Sequence, residues 1–293
     1  MPRSPTLQAI LLMLLSMAGF SVMMAFIREL SATMHPTQMV LLRNVISFFM
    51  ILLWCAYLHR DRKIFKTNRM GNHFWRATVG ILSMELWFYS ISIMPMTLAT
   101  ALSFTTPIFS TIIAMIFLGE RAGLHRWGAI IVGFFGVLII LRPDVYGIDH
   151  KAMIVLLASL LMGISGVLVK TLTRTESPET IVFYMTLFMI PWSIVPALLH
   201  WQEISMYQWW LVFCIALFST ASHLTMTRAF KRVDLVILMP FDFTRLIFVS
   251  ILGFMFFDEI LTLQTALGAL VIVASTVYIT RHESRKNASS VLP

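Results

Sequence analysis

Ten apolar runs follow one another along almost the whole chain, each close to the roughly 20 residues that an α-helix needs to cross a hydrocarbon core. They cover about 7–27, 37–58, 74–94, 97–118, 124–141, 152–170, 179–199, 207–228, 234–257 and 260–280. Inside lipid every backbone N–H and C=O must be satisfied within the protein, and a run of this length does so as a helix. Charged residues make up 12% of the sequence, where a soluble domain carries about a quarter. The expected fold class is therefore an all-α integral membrane protein with ten transmembrane helices. Its longest polar stretch, HRDRKIFKTNRMGNH at 59–73, leaves no room for a soluble domain. The first run follows Arg3 as a secretory signal would. It is too long for one and lacks a small-residue cleavage site, so it counts as the first helix. Cys55 and Cys214 lie in separate apolar spans with no His or Cys at ligand spacing, so neither a disulfide framework nor a metal site is expected.

Lys and Arg number 22 against 14 Asp and Glu, a net charge of +8. With the N-terminus in the cytoplasm and ten crossings, sixteen of the 22 fall on the cytoplasmic side, including Arg60, Arg62, Lys63, Lys66 and Arg69. Only Arg28, Arg142 and Lys151 fall opposite, and Arg43, Arg76 and Arg245 lie within spans or at their edges. Cationic loops stay inside, which predicts a multi-pass membrane protein with both termini cytoplasmic. The basic balance is thus a topology signal. The lipid bilayer is the expected surrounding partner, and nucleic acid is not expected.

The two halves are similar. A shift of 142 places Arg28 on Lys170 and Pro36 on Pro178. A shift of 139 places Phe104 and Thr105 of LSFTTP on Phe243 and Thr244 of FDFTRL, and Glu120 on Glu259. Two five-helix repeats are predicted, residues 1–146 and 147–293, the second ending in a short basic cytoplasmic tail. Five is odd, so the second copy is expected upside down, and such inverted repeats place substrate near the midplane between them.

The segment WFYSISIMPMTLATALSFTTPIFSTIIAMIFLGERAGLHRWGAIIVGFFGVLIILRP, residues 87–143, resembles the EamA-type transporters of the drug/metabolite transporter superfamily. The second half departs from the pattern, with FFDE where the family usually has LGE. The resemblance implies an inner-membrane secondary carrier of a small polar metabolite, zwitterionic, amino-acid-like or heteroaromatic, of the riboflavin, S-adenosylmethionine or metallophore class. It further implies a central cavity lined by the first, third, fourth, sixth, eighth and ninth helices.

An ionisable group at the bilayer centre costs from about 3 kcal/mol upward and normally faces a partner or a cavity. Arg43, Glu85, Asp242 and Arg245 are such groups. Asp242 and Arg245, three apart on one helix, form either an ion pair that fastens the ninth helix or a substrate site. Their repeat counterparts, Ser103 and Thr106, are neutral and belong to a polar stripe with Thr100, Pro107 and Ser110. Pro107 and Pro240 are each expected to free a carbonyl four residues back. Glu85 shares a helical face with Phe88, Tyr89 and Ser92 and is a candidate proton site or a partner for Arg43 or Arg245. Arg43 either lines the site or snorkels to the interface. Arg76 is expected to anchor the cytoplasmic edge of the third helix. His223 is either a cavity residue or a hydrogen-bonded core histidine. Glu120 and Glu259 are read as structural, each favoured by the N-terminus of the following helix.

The expected site thus comprises Arg245, Asp242, Glu85, Arg43, Ser103, Thr106, Tyr89 and His223, with a small-molecule metabolite as partner and proton coupling an option. No cofactor, metal or catalytic residue is expected. No H-x-x-x-H or G-x-S-x-G is present, which weighs against an integral-membrane enzyme. A scaffold or receptor subunit is the other alternative, and nothing in the sequence assigns an oligomeric state.

Overall fold

The computed structural model describes residues 5–59, 66–118, 124–141, 150–233, 238 and 241–289. Among them no strand occurs. The helices are α1 (Pro5–Leu30), α2 (Pro36–Trp54), α3 (Met70–Ile93), α4 (Met96–Ser103), α5 (Thr106–Leu118), α6 (Leu124–Leu141), α7 (His150–Thr173), α8 (Pro178–Leu199), α9 (Met206–Arg232), α10 (Thr244–Phe257) and α11 (Leu263–Ser289).

Local sequence explains where they start. Pro36 and Pro178, matched between the halves, both open a helix, where a missing N–H costs nothing. Ser177 caps α8 by accepting from the Thr180 N–H at 3.1 Å. Ser205 and Gln208 form a reciprocal capping box at α9.

Six helical spans are long and apolar enough to cross a membrane: α1, α2, the joined α4 and α5, α7, α8 and α9. Three further apolar helices are shorter, Trp127–Leu141, Thr244–Phe257 and Leu263–Tyr278. The third expected span, α3, is not among the six and carries His73, Arg76 and Glu85. The chain is therefore a multi-pass membrane protein, with six rather than ten spans meeting that standard among the described residues.

Packing exchanges between the halves. The α1–α9 contact has its counterpart in α3–α7, α2–α9 in α3–α8, and α1–α10 in α5–α7, while α2–α8, α4–α10 and α6–α11 are their own counterparts. Side chains follow suit. Ser16 Oγ donates to the Ser222 carbonyl at 2.8 Å between α1 and α9, and Ser83 Oγ donates to the Ala158 carbonyl at 3.1 Å between α3 and α7. At the α6–α11 crossing, a Cβ on Gly136 would lie 2.8 Å from the Gly268 carbonyl oxygen, and one on Gly268 would lie 2.7 Å from that of Gly136. Only hydrogen at both positions lets these backbones touch. Gly163 likewise admits Thr106 and Ser110, whereas a Cβ on Gly166 would meet nothing within 4 Å. Cys55 and Cys214 are both buried and free.

Candidate substrate site

The fourth expected span is broken rather than kinked. α4 stops at Ser103, Phe104 and Thr105 turn, and α5 restarts at Thr106. The turn is held by i→i−3 bonds, Phe104 N–H to Ala101 at 3.3 Å and Thr105 N–H to Leu102 at 3.1 Å. Thr105 Oγ1 adds a bond to the same Leu102 carbonyl at 2.8 Å. Pro107, expected to free the Ser103 carbonyl inside a helix, sits instead in the first turn of α5, where its missing N–H is harmless. The matched FT of the second half builds the same turn. Residues 241 and 242 are helical, Phe243 turns, and Thr244 Oγ1 donates to the Phe241 carbonyl at 2.6 Å. The Phe104 and Phe243 rings meet edge to face at 4.9 Å and 87°. Pro240 lies outside the described residues.

Arg245 stands one residue inside α10. Its Nη2 donates to Ser103 Oγ at 2.9 Å, and its Cζ lies 5.9 Å from the centroids of both Trp87 and Phe104. Cation–π contacts of this kind are worth about 0.5–2 kcal/mol each, more where water is excluded. Nε is buried without a partner. Asp242 and Arg245 do not share one continuous helix, because the Phe243 turn separates them. Among the described residues the ion pairs within 4.0 Å are Arg28–Glu259 and Arg228–Glu179, so Arg245 reaches the other half of the chain rather than Asp242. Ser103 in turn donates to the Thr100 carbonyl at 2.7 Å. Thr106 is half-buried beside it at the start of α5.

Arg43 does not snorkel. It is 1% exposed, with Nε on Ser219 Oγ at 2.9 Å, Nη1 on Asn44 Oδ1 at 2.6 Å and on Met84 Sδ at 3.0 Å, and Nη2 also on Ser219. These partners tie α2 to α3 and α9 without a carboxylate. His223 is half-buried in α9, its ring edge-on to Phe20 at 5.0 Å. Glu85 pairs with neither Arg43 nor Arg245, and both its carboxyl oxygens are buried without a hydrogen bond. The expected shared face with Phe88 and Tyr89 divides, since Phe88 is buried while Tyr89 is 41% exposed. The structure thus joins Arg245 with Ser103 and leaves Arg43, Glu85 and Tyr89 in separate surroundings.

Two groups escaped sequence reasoning. Arg76 is no interfacial anchor, being 6% exposed with Nε and Nη1 unpartnered. His73, one turn before it, is fully buried, with neither ring nitrogen bonded and its ring 4.8 Å from that of Tyr184. The signal available was spacing, because His73, Arg76 and Gly80 fall on one helical face.

Glu259 is structural in a way the chain order conceals. Its carboxylate accepts from the N–H groups of Met96 at 3.1 Å and Thr97 at 3.3 Å, capping α4 rather than the helix that follows it. Arg28 lies 3.8 Å from it and donates to the Ile91 and Ser92 carbonyls at the end of α3. Glu120 lies outside the described residues. Among the described residues no group of three His, Cys, Asp or Glu could hold a metal.

The EamA-like transporter family profile matches residues 7–142 and 151–281. The chain is 26% identical to an S-adenosylmethionine uptake transporter of Rickettsia bellii, over 95% of each chain. It is 32% identical to a riboflavin transporter of Rhizobium johnstonii, over 75% of this chain and 74% of that one. It is also 28% identical to a pseudopaline exporter of Pseudomonas aeruginosa, over 93% and 95%. A protein known from a crystal structure superposes with a TM-score of 0.66 at 15% identity, covering 94% of this chain and 98% of that one.

Proposed function

Since the chain belongs to the EamA-like transporter family, we propose that it moves a small polar organic metabolite across the inner membrane by alternating access. The relatives carry S-adenosylmethionine and riboflavin, which supports a zwitterionic or heteroaromatic cargo. Family membership also points away from an enzyme. The ten-helix plan is part of the proposal, with two inverted five-helix repeats over 1–146 and 147–293 and both termini cytoplasmic. The exchanged packing pairs and the two matched family segments support it.

The observation that carries the reading is the meeting of two repeat-matched helix breaks at Phe104 and Phe243, with Arg245 beside them holding a free Nε. Broken helices expose backbone groups and are tolerated at membrane depth only where protein or a water-filled cavity surrounds them. Arg245, Asp242, Ser103 and Thr106 form the centre of the proposed site, with Trp87 and Phe104 holding the Arg245 guanidinium between them. Glu85, Arg43, Tyr89 and His223 are assigned to its periphery. Glu85 or Asp242 provides the optional proton.

Arg245→Ala and Glu85→Gln are expected to abolish transport with membrane insertion unchanged, measured as flux of S-adenosylmethionine and riboflavin into proteoliposomes at equal protein content. Unchanged flux in both variants would move the site elsewhere. Binding without flux in the parent protein would mark a receptor instead. Similarity to both an uptake protein and an exporter leaves direction to the sign of that flux.

A further inference from the structure

Arg76 occupies the second turn of α3, roughly 9 Å from the helix start at 1.5 Å per residue. An arginine so near a helix end normally extends toward the interface, and the Cα–Cβ bond, tilted toward the N-terminus, favours that direction. Here the guanidinium turns the other way. Nη1 lies 3.7 Å from where a Cβ on Gly80 would stand, one turn deeper along α3. The absence of a side chain at Gly80 is what leaves it room. Ser165 of α7 and Met189 of α8 close the same space. Neither Nε nor Nη1 has an acceptor.

The neighbourhood compounds the imbalance. His73 has two unbonded ring nitrogens and lies one helical turn from Arg76 on the same face of α3. Arg43 is already committed to Ser219, Asn44 and Met84. Two unpaired donors of a buried guanidinium are strongly unfavourable, and among the described residues no carboxylate comes within 4.0 Å of it.

We propose that Arg76 and His73 form an oxyanion subsite that takes a carboxylate or phosphate group of the transported molecule. This rests on the transporter reading above and adds the substrate class, since a planar fork of N–H donors matches both groups bidentately. The subsite is distinct from Arg245, which lies on another helix at the breaks. A lipid headgroup phosphate has the same chemistry, so the test separates the two sources.

The experiment compares metabolites inside and outside cells carrying the parent protein, Arg76→Gln, Arg76→Lys or empty vector. Membrane yield and monodispersity in detergent check folding, and native mass spectrometry detects bound phospholipid. The expected result is that metabolites redistributed by the parent carry a carboxylate or phosphate. Arg76→Gln at parental yield loses at least tenfold of that redistribution, and Arg76→Lys restores part of it. Redistribution only of compounds that carry neither a carboxylate nor a phosphate, or full activity in Arg76→Gln, overturns the subsite and leaves the transporter reading intact. If Arg76→Gln fails to insert, the decision falls to Arg76→Lys, where full activity overturns the bidentate assignment and partial activity supports it. Loss of a bound phospholipid with flux unchanged assigns the site to lipid and overturns the proposal. No redistribution by the parent protein overturns both readings.

Discussion

A guanidinium offers five N–H donors in a rigid fork, and the three interior arginines use theirs differently. Arg43 spends its donors on Ser219, Asn44 and Met84 and behaves as a structural tie. Arg245 spends one on Ser103, rests against two aromatic rings and keeps Nε free. Because Ser219 Oγ serves both Nε and Nη2 of Arg43, Ser219→Ala strands two donors of a buried cation. The expected loss is about 1–3 kcal/mol, read as a lowered unfolding midpoint in detergent, with Ser219→Thr close to the parent. A midpoint unchanged in Ser219→Ala would show that Arg43 finds another acceptor.

At the level of the elements, α10 ends in an unusual way. Asp258 adopts a left-handed conformation with φ 52°, and it is the only non-glycine residue with positive φ among those described. The Glu259 N–H then bonds the Gly253 carbonyl at 3.0 Å. A Cβ on Gly253 would lie 3.1 Å from Glu259 Oε2, so a side chain there would press on this carboxylate. The turn thereby lays the Glu259 carboxylate over α10 toward α4. The first half has Gly119 at the position that aligns with Asp258, and glycine adopts this conformation without steric cost. Asp258→Gly is therefore expected to stabilise the protein by about 0.5–1 kcal/mol, seen as a higher thermal midpoint with transport unchanged. A lower midpoint would mean that the Asp258 carboxylate has a role of its own.

Across the whole molecule, one charged pair fastens the ends of four helices. Arg28 closes α1 and holds the last carbonyls of α3, while Glu259 follows α10 and caps α4. Under the alternating access proposed above this end has to open, and the pair is the contact expected to hold it shut. Glu259→Ala is expected to cost about 1–2 kcal/mol through the lost cap. It should also speed maleimide labelling of a cysteine placed at Met94, which is 3% exposed. Labelling at the parental rate would show that other contacts keep this end shut.

Helical class, membrane residence and the twofold likeness of the halves were all legible in the sequence, because each depends on local composition and period. Apolar runs of this length need only their own backbone bonds, and Phe104-Thr105 and Phe243-Thr244 build the same turn from the same two residues. The pairing of side chains was not legible. Asp242 and Arg245 looked like neighbours on one helix until the Phe243 turn separated them, and Arg76 looked like an anchor until Gly80 gave it room to face inward. Glu259 caps a helix more than 150 positions away in the chain. Such partners are chosen by helix crossings between the halves, where distance along the chain has no bearing on distance in space, and only the tertiary structure brings them together.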